Sequence, residues 1–444
     1  MNKKSTIKTI ITLLGLGFIA KLLSTVARIL MTRELGVDGM GLYQLATPCM
    51  LLVITIAQFG LPTAMATLVS RHRNKAKLIL GSGLTIAFII AMLMMILVII
   101  LAPTIANVIL KNNDLLLTIY ALALLIPLVS LSAIIKGFFL GLNEIELTST
   151  STIMEEVGRI IFIICFLNLF VSKGANYGSF GAMLGVCVGE IFQTLYMVIF
   201  NDKKLYNRIN ELISIKKSER IQETKSIVRL SLPLTLSRLV GSITYFVESI
   251  IVANLMLKYG MTTLEITHDY GILSGYVMPM LLMPGFFATS FANYLLPKLS
   301  SSIGKNRIKE AKNIFKKIGL LSGITGLFFS TIFFFFGDKI MFILYGTSEG
   351  YNLVKLFAFP FMIFYIEAPI VAAMHAIDLT NKAFYATVIS SITRIGLLLV
   401  LAKELRISAI GVSTIVAVFV DVAINGFFVI DRLFFHNEKI ILKS

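Results

Sequence analysis

The sequence predicts an all-α polytopic membrane protein with about 12 transmembrane helices in two six-helix lobes, and three observations lead there. Apolar residues make up 57% of the 444 residues, charged ones 14%, and mean hydropathy is +0.88. Soluble globular chains run at roughly 45–50% apolar and about 25% charged. Apolar runs of about 18 to 25 residues recur along the whole chain, long enough at 1.5 Å per residue to cross a hydrocarbon core of about 30 Å. They lack the alternation over about ten residues that marks barrel strands. Finally, the basic residues change sides in step with those runs, as the elements taken in order show.

The runs fall at residues 7–31, 40–69, 78–101, 115–135, 148–171 and 177–200, then at 227–257, 270–296, 314–336, 351–374, 383–402 and 407–430. The first lacks a small-residue cleavage site and is too long for the apolar region of a signal peptide, so it is expected to stay as a helix. With the N-terminus cytoplasmic, the inner segments hold NKK, RHRNKAK, the 201–226 segment, KLSSSIGKNRIKEAKNIFKK and the C-terminal tail. The outer loops hold only Arg33, Lys111, Lys173, Lys258, Lys339, Lys403 and Arg406. That asymmetry is the positive-inside pattern, so the formal net charge of +16 reports topology and not nucleic-acid binding. Both termini are expected on the cytoplasmic side of a bacterial plasma membrane.

Residues 201–226 divide the chain into an N-lobe (1–200, spans 1–6) and a C-lobe (227–444, spans 7–12). The divider reads as a cytoplasmic amphipathic linker, with Leu205, Ile209, Leu212 and Ile213 at helical spacing and basic residues toward anionic headgroups. The lobes repeat each other in order. FIAKLLSTVARILMTREL lies on TLSRLVGSITYFVESI, which sets Lys21 opposite Arg238, Thr25 opposite Ser242 and Arg28 opposite Tyr245. GLNEIELTSTSTIMEEVGRIIFI lies on AIDLTNKAFYATVISSITRIGLL, setting Arg159 opposite Arg394. Six spans per lobe give a parallel repeat, and the space between the halves of such repeats is the natural substrate site.

Charges inside the spans carry the functional reading, since each costs roughly 2.5 to 3.5 kcal/mol near a helix centre. Lys21 and Arg28 are seven residues apart, almost two turns, and share a helix face with Ser24 and Thr25 between them. They can converge on one anion, the arginine as a bidentate fork and the lysine as a point charge. The competing reading of Arg28 is a side chain snorkelling to the headgroups. Arg238 repeats the cation in the second lobe, with pairing to Glu248 or Glu367 as its alternative. Arg159 reads as structural, because Glu155 lies four residues earlier on the same face. Arg394 lacks such a local partner and is a secondary candidate, as are Ser24, Thr25, Glu190 and Asp421. Glu190, Lys355, Glu367 and Asp421 are isolated charges within spans, open to ion coupling or to pairing between spans. Two spans are interrupted, by Gly60 and Pro62 in QFGLPTAM and by Pro284 and Gly285 in LLMPGFFA. These are candidate hinges, or static kinks.

Other chemistry is thinly represented. Cys49, Cys165 and Cys187 all fall within spans at no metal-ligand spacing and read as core residues, and His72, His268, His375 and His436 are far apart. No catalytic residues and no metal site are expected. No GxxxxGK[ST] phosphate loop occurs, so no cofactor is expected and the drive is assigned to the membrane potential or to a coupling Na+ or H+.

The stretches FIAKLLSTVARILMTRELGVDGMGLYQLATPCMLLVITIAQFGLPTAMATLVS, LSLPLTLSRLVGSITYFVESIIVANLM and YGILSGYVMPMLLMPGFFATSFANYLLPKLSSS resemble the stage V sporulation protein B group. That group belongs to the multidrug/oligosaccharidyl-lipid/polysaccharide exporter superfamily, which also holds the lipid II flippase and O-unit flippases. The resemblance implies two lobes in a V around a central cavity and outward flipping of an undecaprenyl-diphosphate-linked glycan, a cell-wall or surface-polysaccharide precursor such as lipid II. It places Lys21, Arg28 and Arg238 at the diphosphate. Many relatives have fourteen spans, and this chain has twelve by the count above. The expected function is therefore a lipid-linked glycan flippase, not an enzyme, with the lipid-linked glycan and anionic lipids as partners. A cation-coupled multidrug exporter would instead place Glu155, Glu190 or Asp421 in the cavity in place of the basic set. A membrane-embedded glycan ligase or phosphatase would need acid/base groups in wet outer loops, where only Glu265, His268 and Asp269 cluster.

Overall fold

The computed structural model describes residues 3–200 and 217–435; the side chains of 3–14, 217–223, 233 and 237 lie outside that description. Among the described residues the chain is helical throughout, without strands. The helices are α1 (Lys3–Gln58), α2 (Leu61–Arg71), α3 (Ala76–Thr104), α4 (Leu116–Gly141), α5 (Ile145–Phe162) and α6 (Ala175–Ile199), then α7 (Lys217–Lys258) and α8 (Thr263–Tyr270). They are followed by α9 (Met278–Leu282), α10 (Gly285–Gly304), α11 (Ile308–Tyr345), α12 (Tyr351–Phe357), α13 (Phe364–Ala376), α14 (Thr380–Leu405) and α15 (Ser408–Ile430).

Eight helices among the described residues are long and apolar enough to cross a membrane, or ten if each of two bent pairs is one span. The expected twelve differ from this in two places, each with a local cause. The first two spans run together as α1, which bends at Gly36, where φ is 64°. The fifth span, α5 with its prolongation to Val171, carries Glu155, Glu156 and Arg159 among its apolar residues and is too highly charged to read as a plain lipid-facing helix. The two bent pairs are Thr263–Leu282 with Gly285–Gly304, at 49°, and Tyr351–Phe357 with Pro360–Ala376, at 55°.

The chain forms two compact units, Met1–Ile250 and Ile251–Ser444. The expected linker at 201–226 lies outside the described residues for 201–216, and 217–226 is already the helical start of α7. The division falls within α7 because the first half of that helix packs on the first unit. Ile227 is buried with Leu61, Met65, Ile79, Phe138 and Phe139, and Leu230 leans on the same cluster. In the second unit Leu295 and Leu299 of α10 pack with Ala311 of α11, Ala373 and Met374 of α13 and Val429 of α15. In lipid such packing, and not hydrophobic exclusion from water, holds helices together.

Two glycines set the approach of helices that matter for the site. Gly60 ends the break between α1 and α2 in the left-handed region, φ 60°, and a Cβ there would stand 2.7 Å from the Ser231 carbonyl oxygen of α7. Pro62 follows in the first turn of α2, where a missing N–H costs nothing. Gly189 lets α6 lie against α5, since a Cβ there would be 2.9 Å from the Glu155 carbonyl oxygen. The second break falls between α9 and α10 at Pro284 and Gly285.

Candidate functional site

A chain of polar side chains crosses the apolar interior of the first unit. Ser132 on α4 donates to Gln193 Oε1 on α6 at 2.6 Å. Gln193 Nε2 donates to Glu155 Oε2 on α5 at 2.8 Å. Arg159, one turn further along α5, donates from Nη2 to Glu155 Oε1 at 2.8 Å, and its Nη1 is 3.2 Å from Glu156 Oε2. Ser24 of α1 lies near Glu156. The pairing of Glu155 with Arg159 is the one read from the sequence, and Glu156 joins it.

Two cavities lie on either side of that ion pair. The larger, about 430 Å³, has Glu155 and Glu190 on its wall together with Lys136, Arg238, Gln58 and Gln193. The smaller, about 220 Å³, is lined by Arg28 and Arg159 with Ser24, Tyr43, Gln44 and Thr47. Arg238 donates to the Thr63 hydroxyl at 3.1 Å, the partner it has in place of an acid, and Lys136 Nζ donates to Thr152 at 2.8 Å.

The expected cationic set therefore divides. Arg28 belongs to the smaller cavity and Arg238 to the larger, while Lys21, exposed on α1, lines neither. Thr25 turns its hydroxyl back onto the Lys21 carbonyl at 3.0 Å, so only Ser24 of the two small residues faces the smaller cavity. Glu190 sits in the larger one beside Lys136 and Arg238. Arg394, Asp421 and the Pro284–Gly285 break belong to the second unit. There Asp421 is buried and accepts from Asn425 Nδ2 at 2.8 Å, Lys355 lies 5.3 Å over the Phe334 ring, and Glu367 borders a cavity with Asn293 and His375.

Several residues escaped the sequence reading. Lys136 lies one residue beyond the fourth span as read from the sequence, 115–135, and so was not among the charges within spans. Gln58 and Gln193 carry no charge to attract notice, although Glu190 and Gln193 stand at helical spacing. Arg159 was assigned wholly to its ion pair, yet it also borders the smaller cavity. Cys165, expected in the core, is exposed; Cys49 and Cys187 are buried. The outer-loop cluster is taken up structurally. Glu265 closes a capping box with Thr262 at the start of α8, and His268 Nε2 is 2.9 Å from Glu349. Among the described residues no group of three or more His, Cys, Asp or Glu is placed to hold a metal ion.

Known proteins resemble this arrangement at two levels. Over the whole fold, the lipid II flippase MurJ in its inward closed conformation superposes with a TM-score of 0.69 at 17% identity, covering 94% of this chain and 87% of the other. An inward-facing multidrug resistance MATE family transporter of the MOP superfamily superposes at 0.66 and 14% identity, covering 95% and 98%. In sequence, the chain is 30% identical over 418 residues to Stage V sporulation protein B of Bacillus subtilis (strain 168), spanning 93% of this chain and 80% of that one. It is 22% identical over 476 residues to Lipid II flippase MurJ of the same organism, spanning 100% and 85%. Residues 6–303 match the model of the Polysaccharide biosynthesis protein family. With that match over more than half its length, this multi-pass helical membrane protein belongs to the polysaccharide biosynthesis protein family.

Proposed function

We propose that the chain is a flippase that carries an undecaprenyl-diphosphate-linked glycan, a precursor of cell wall or surface polysaccharide, outward across the bacterial plasma membrane by alternating access, with both termini cytoplasmic. The observation that carries this reading is the smaller cavity of the first unit, where two guanidinium groups and the polar Tyr43, Gln44 and Thr47 line a space without a carboxylate on its wall. Arg159 is held on that wall by its pairs with Glu155 and Glu156. Guanidinium forks suit the oxygens of a diphosphate. Similarity to a chain named a lipid II flippase supports the same substrate class.

The basic groups also fit the direction of transport. An interior-negative potential favours outward movement of anions by about 2.3 kcal/mol per charge per 100 mV across the full field. Na+ or H+ coupling at Glu190 or Asp421 is compatible with this drive. Glu155 and Glu190 do border the larger cavity, as a cation exporter would require, but Lys136 and Arg238 stand beside them and oppose an organic cation. In the outer-loop cluster, Glu265 is engaged in the α8 capping box and His268 by Glu349, which disfavours a ligase. Complementation tests the reading: Arg28→Glu, on the wall of the smaller cavity, should abolish rescue of a flippase-deficient strain while the protein is still made and inserted. Full rescue by this variant would rule out the anion site.

A further inference from the structure

The two bent helix pairs of the second unit begin side by side. The first starts with α8 and the second with α12, which follows the turn 346–350. Across this corner His268 Nε2 of α8 meets Glu349 Oε1 of the turn at 2.9 Å. Packing under the pair is close: Gly350 has φ 91°, and a Cβ there would overlap Ile272 Cγ2 and stand 3.2 Å from Val277 Cγ2. The rings of Tyr276 and Tyr345 meet edge to face beside it, 5.0 Å between centroids. The turn is braced from its own side by the Ser348 hydroxyl, which donates to the Asp338 carbonyl oxygen at 3.1 Å, and by the Glu349 N–H, which donates to Thr347 Oγ1 at 3.1 Å. In the interior, the Tyr365 hydroxyl of α13 donates to the Leu281 carbonyl oxygen of α9 at 2.8 Å, just ahead of the Pro284–Gly285 break. The bent pairs are thus tied twice, once near their bends and once at their starts. Only the tie at the starts changes charge between about pH 5 and 8, because it holds an imidazole.

We propose that His268 and Glu349 form a proton-dependent latch between the starting ends of the two bent helix pairs, closed while the imidazole is protonated and slack once it is neutral. Imidazolium and carboxylate attract each other between the ordinary carboxyl pKa of about 4.3 and the ordinary imidazole pKa of about 6.5. Above that window a neutral hydrogen bond is all that remains, and below it the carboxyl takes up a proton. The other charged groups in the corner are Glu265 and Asp269 of α8 and Arg406 between α14 and α15, and the Glu265 carboxylate is already held by Thr262. With the termini cytoplasmic, as proposed above, this corner faces the cell exterior and the latch responds to the pH outside.

Thiol accessibility in the purified full chain tests the latch. Ile272→Cys puts a thiol beneath Gly350, and Leu264→Cys puts a reference thiol on the exposed side of α8. Both are made with Cys165→Ala, since Cys165 is exposed whereas Cys49 and Cys187 are buried. The rate of modification by a water-soluble maleimide is measured from pH 5.5 to 7.5 and taken as the ratio of position 272 to position 264. Adding His268→Gln gives the baseline for the thiols' own titration. The ratio should rise with pH by about two- to fivefold more than that baseline, a modest effect because the two side chains are 38% and 46% exposed. Glu349→Gln should remove the excess as His268→Gln does. If Ile272→Cys is not made, Val277→Cys, which also lies against Gly350, takes its place. The same pH response with and without His268→Gln, or an excess that survives Glu349→Gln, overturns the latch and leaves the flippase reading standing.

Discussion

The two units handle their membrane-embedded charges differently. In the first, Ser132, Gln193, Glu155, Arg159 and Glu156 form one connected chain drawn from three helices, with a cavity on each side. In the second, charges are met locally: Asp421 by Asn425 a turn away and Lys355 by the Phe334 ring. A connected network costs more to interrupt than a local pair, because removing one member leaves several buried groups unmet. If the proposed flippase reading holds, ligand recognition is concentrated in the first unit, and substitutions there should disturb binding far more than substitutions in the second.

The sharpest way to break the comparison is at Arg159. Arg159→Ala leaves Glu155 and Glu156 without their cation, a loss of about 3–5 kcal/mol for a buried pair, and should reduce both protein yield and lipid binding. Thermal unfolding in detergent with and without prenyl diphosphate checks both effects. A variant as stable and as competent as the parent would show the network to be incidental.

The next test concerns charge identity at Arg28. Arg28→Lys should keep part of the activity, Arg28→Ala less, and Arg28→Glu least, since the lysine loses only the fork and the carboxylate repels the anion. Precursor exposure at the cell surface measures this ranking, while resistance to cationic dyes should not follow it. Three equal variants would make Arg28 a snorkelling anchor.

A smaller effect is expected at Gly60. Alanine there must adopt a positive φ with its Cβ pressed toward the Ser231 carbonyl, a strain of about 1–3 kcal/mol. The melting temperature should fall, and transport should slow more than binding weakens if the break acts as a hinge. Unchanged transport would make it a static kink. The smallest effect belongs to the second unit. Asp421→Asn retains an acceptor for Asn425 Nδ2 and should leave prenyl diphosphate affinity within about twofold of the parent. A large loss of affinity there would end the division of labour between the units.

What the sequence made legible was local. The helix breaks at Gly60–Pro62 and Pro284–Gly285 follow from the backbone chemistry of those residues, and the Glu155–Arg159 pair follows from a four-residue spacing. The cationic face of α1 was visible for the same reason. The division of those cations between two cavities was not, because it depends on which residues of α4, α6 and α7 come near α1 and α5. Lys136 escaped because a span boundary drawn one residue early hid it, and Gln58 and Gln193 because an uncharged amide in an apolar run costs too little to stand out. The unit boundary inside α7 likewise depends on Ile227 and Leu230 packing on α2, α3 and α4, a long-range preference that composition does not show.

The central claim, that basic groups of the first unit move an anionic lipid-linked glycan, is tested most directly by reconstitution. A fluorescent lipid-diphosphate glycan is placed in both leaflets of liposomes, and dithionite, which does not cross the bilayer, quenches what reaches the outside. With the wild-type chain, quenching should extend from the outer-leaflet share to the whole pool. Arg28→Glu should hold it at the outer share, and a glycolipid without phosphate should not be moved. Equal movement of the uncharged glycolipid, or undiminished movement by Arg28→Glu, would contradict the account.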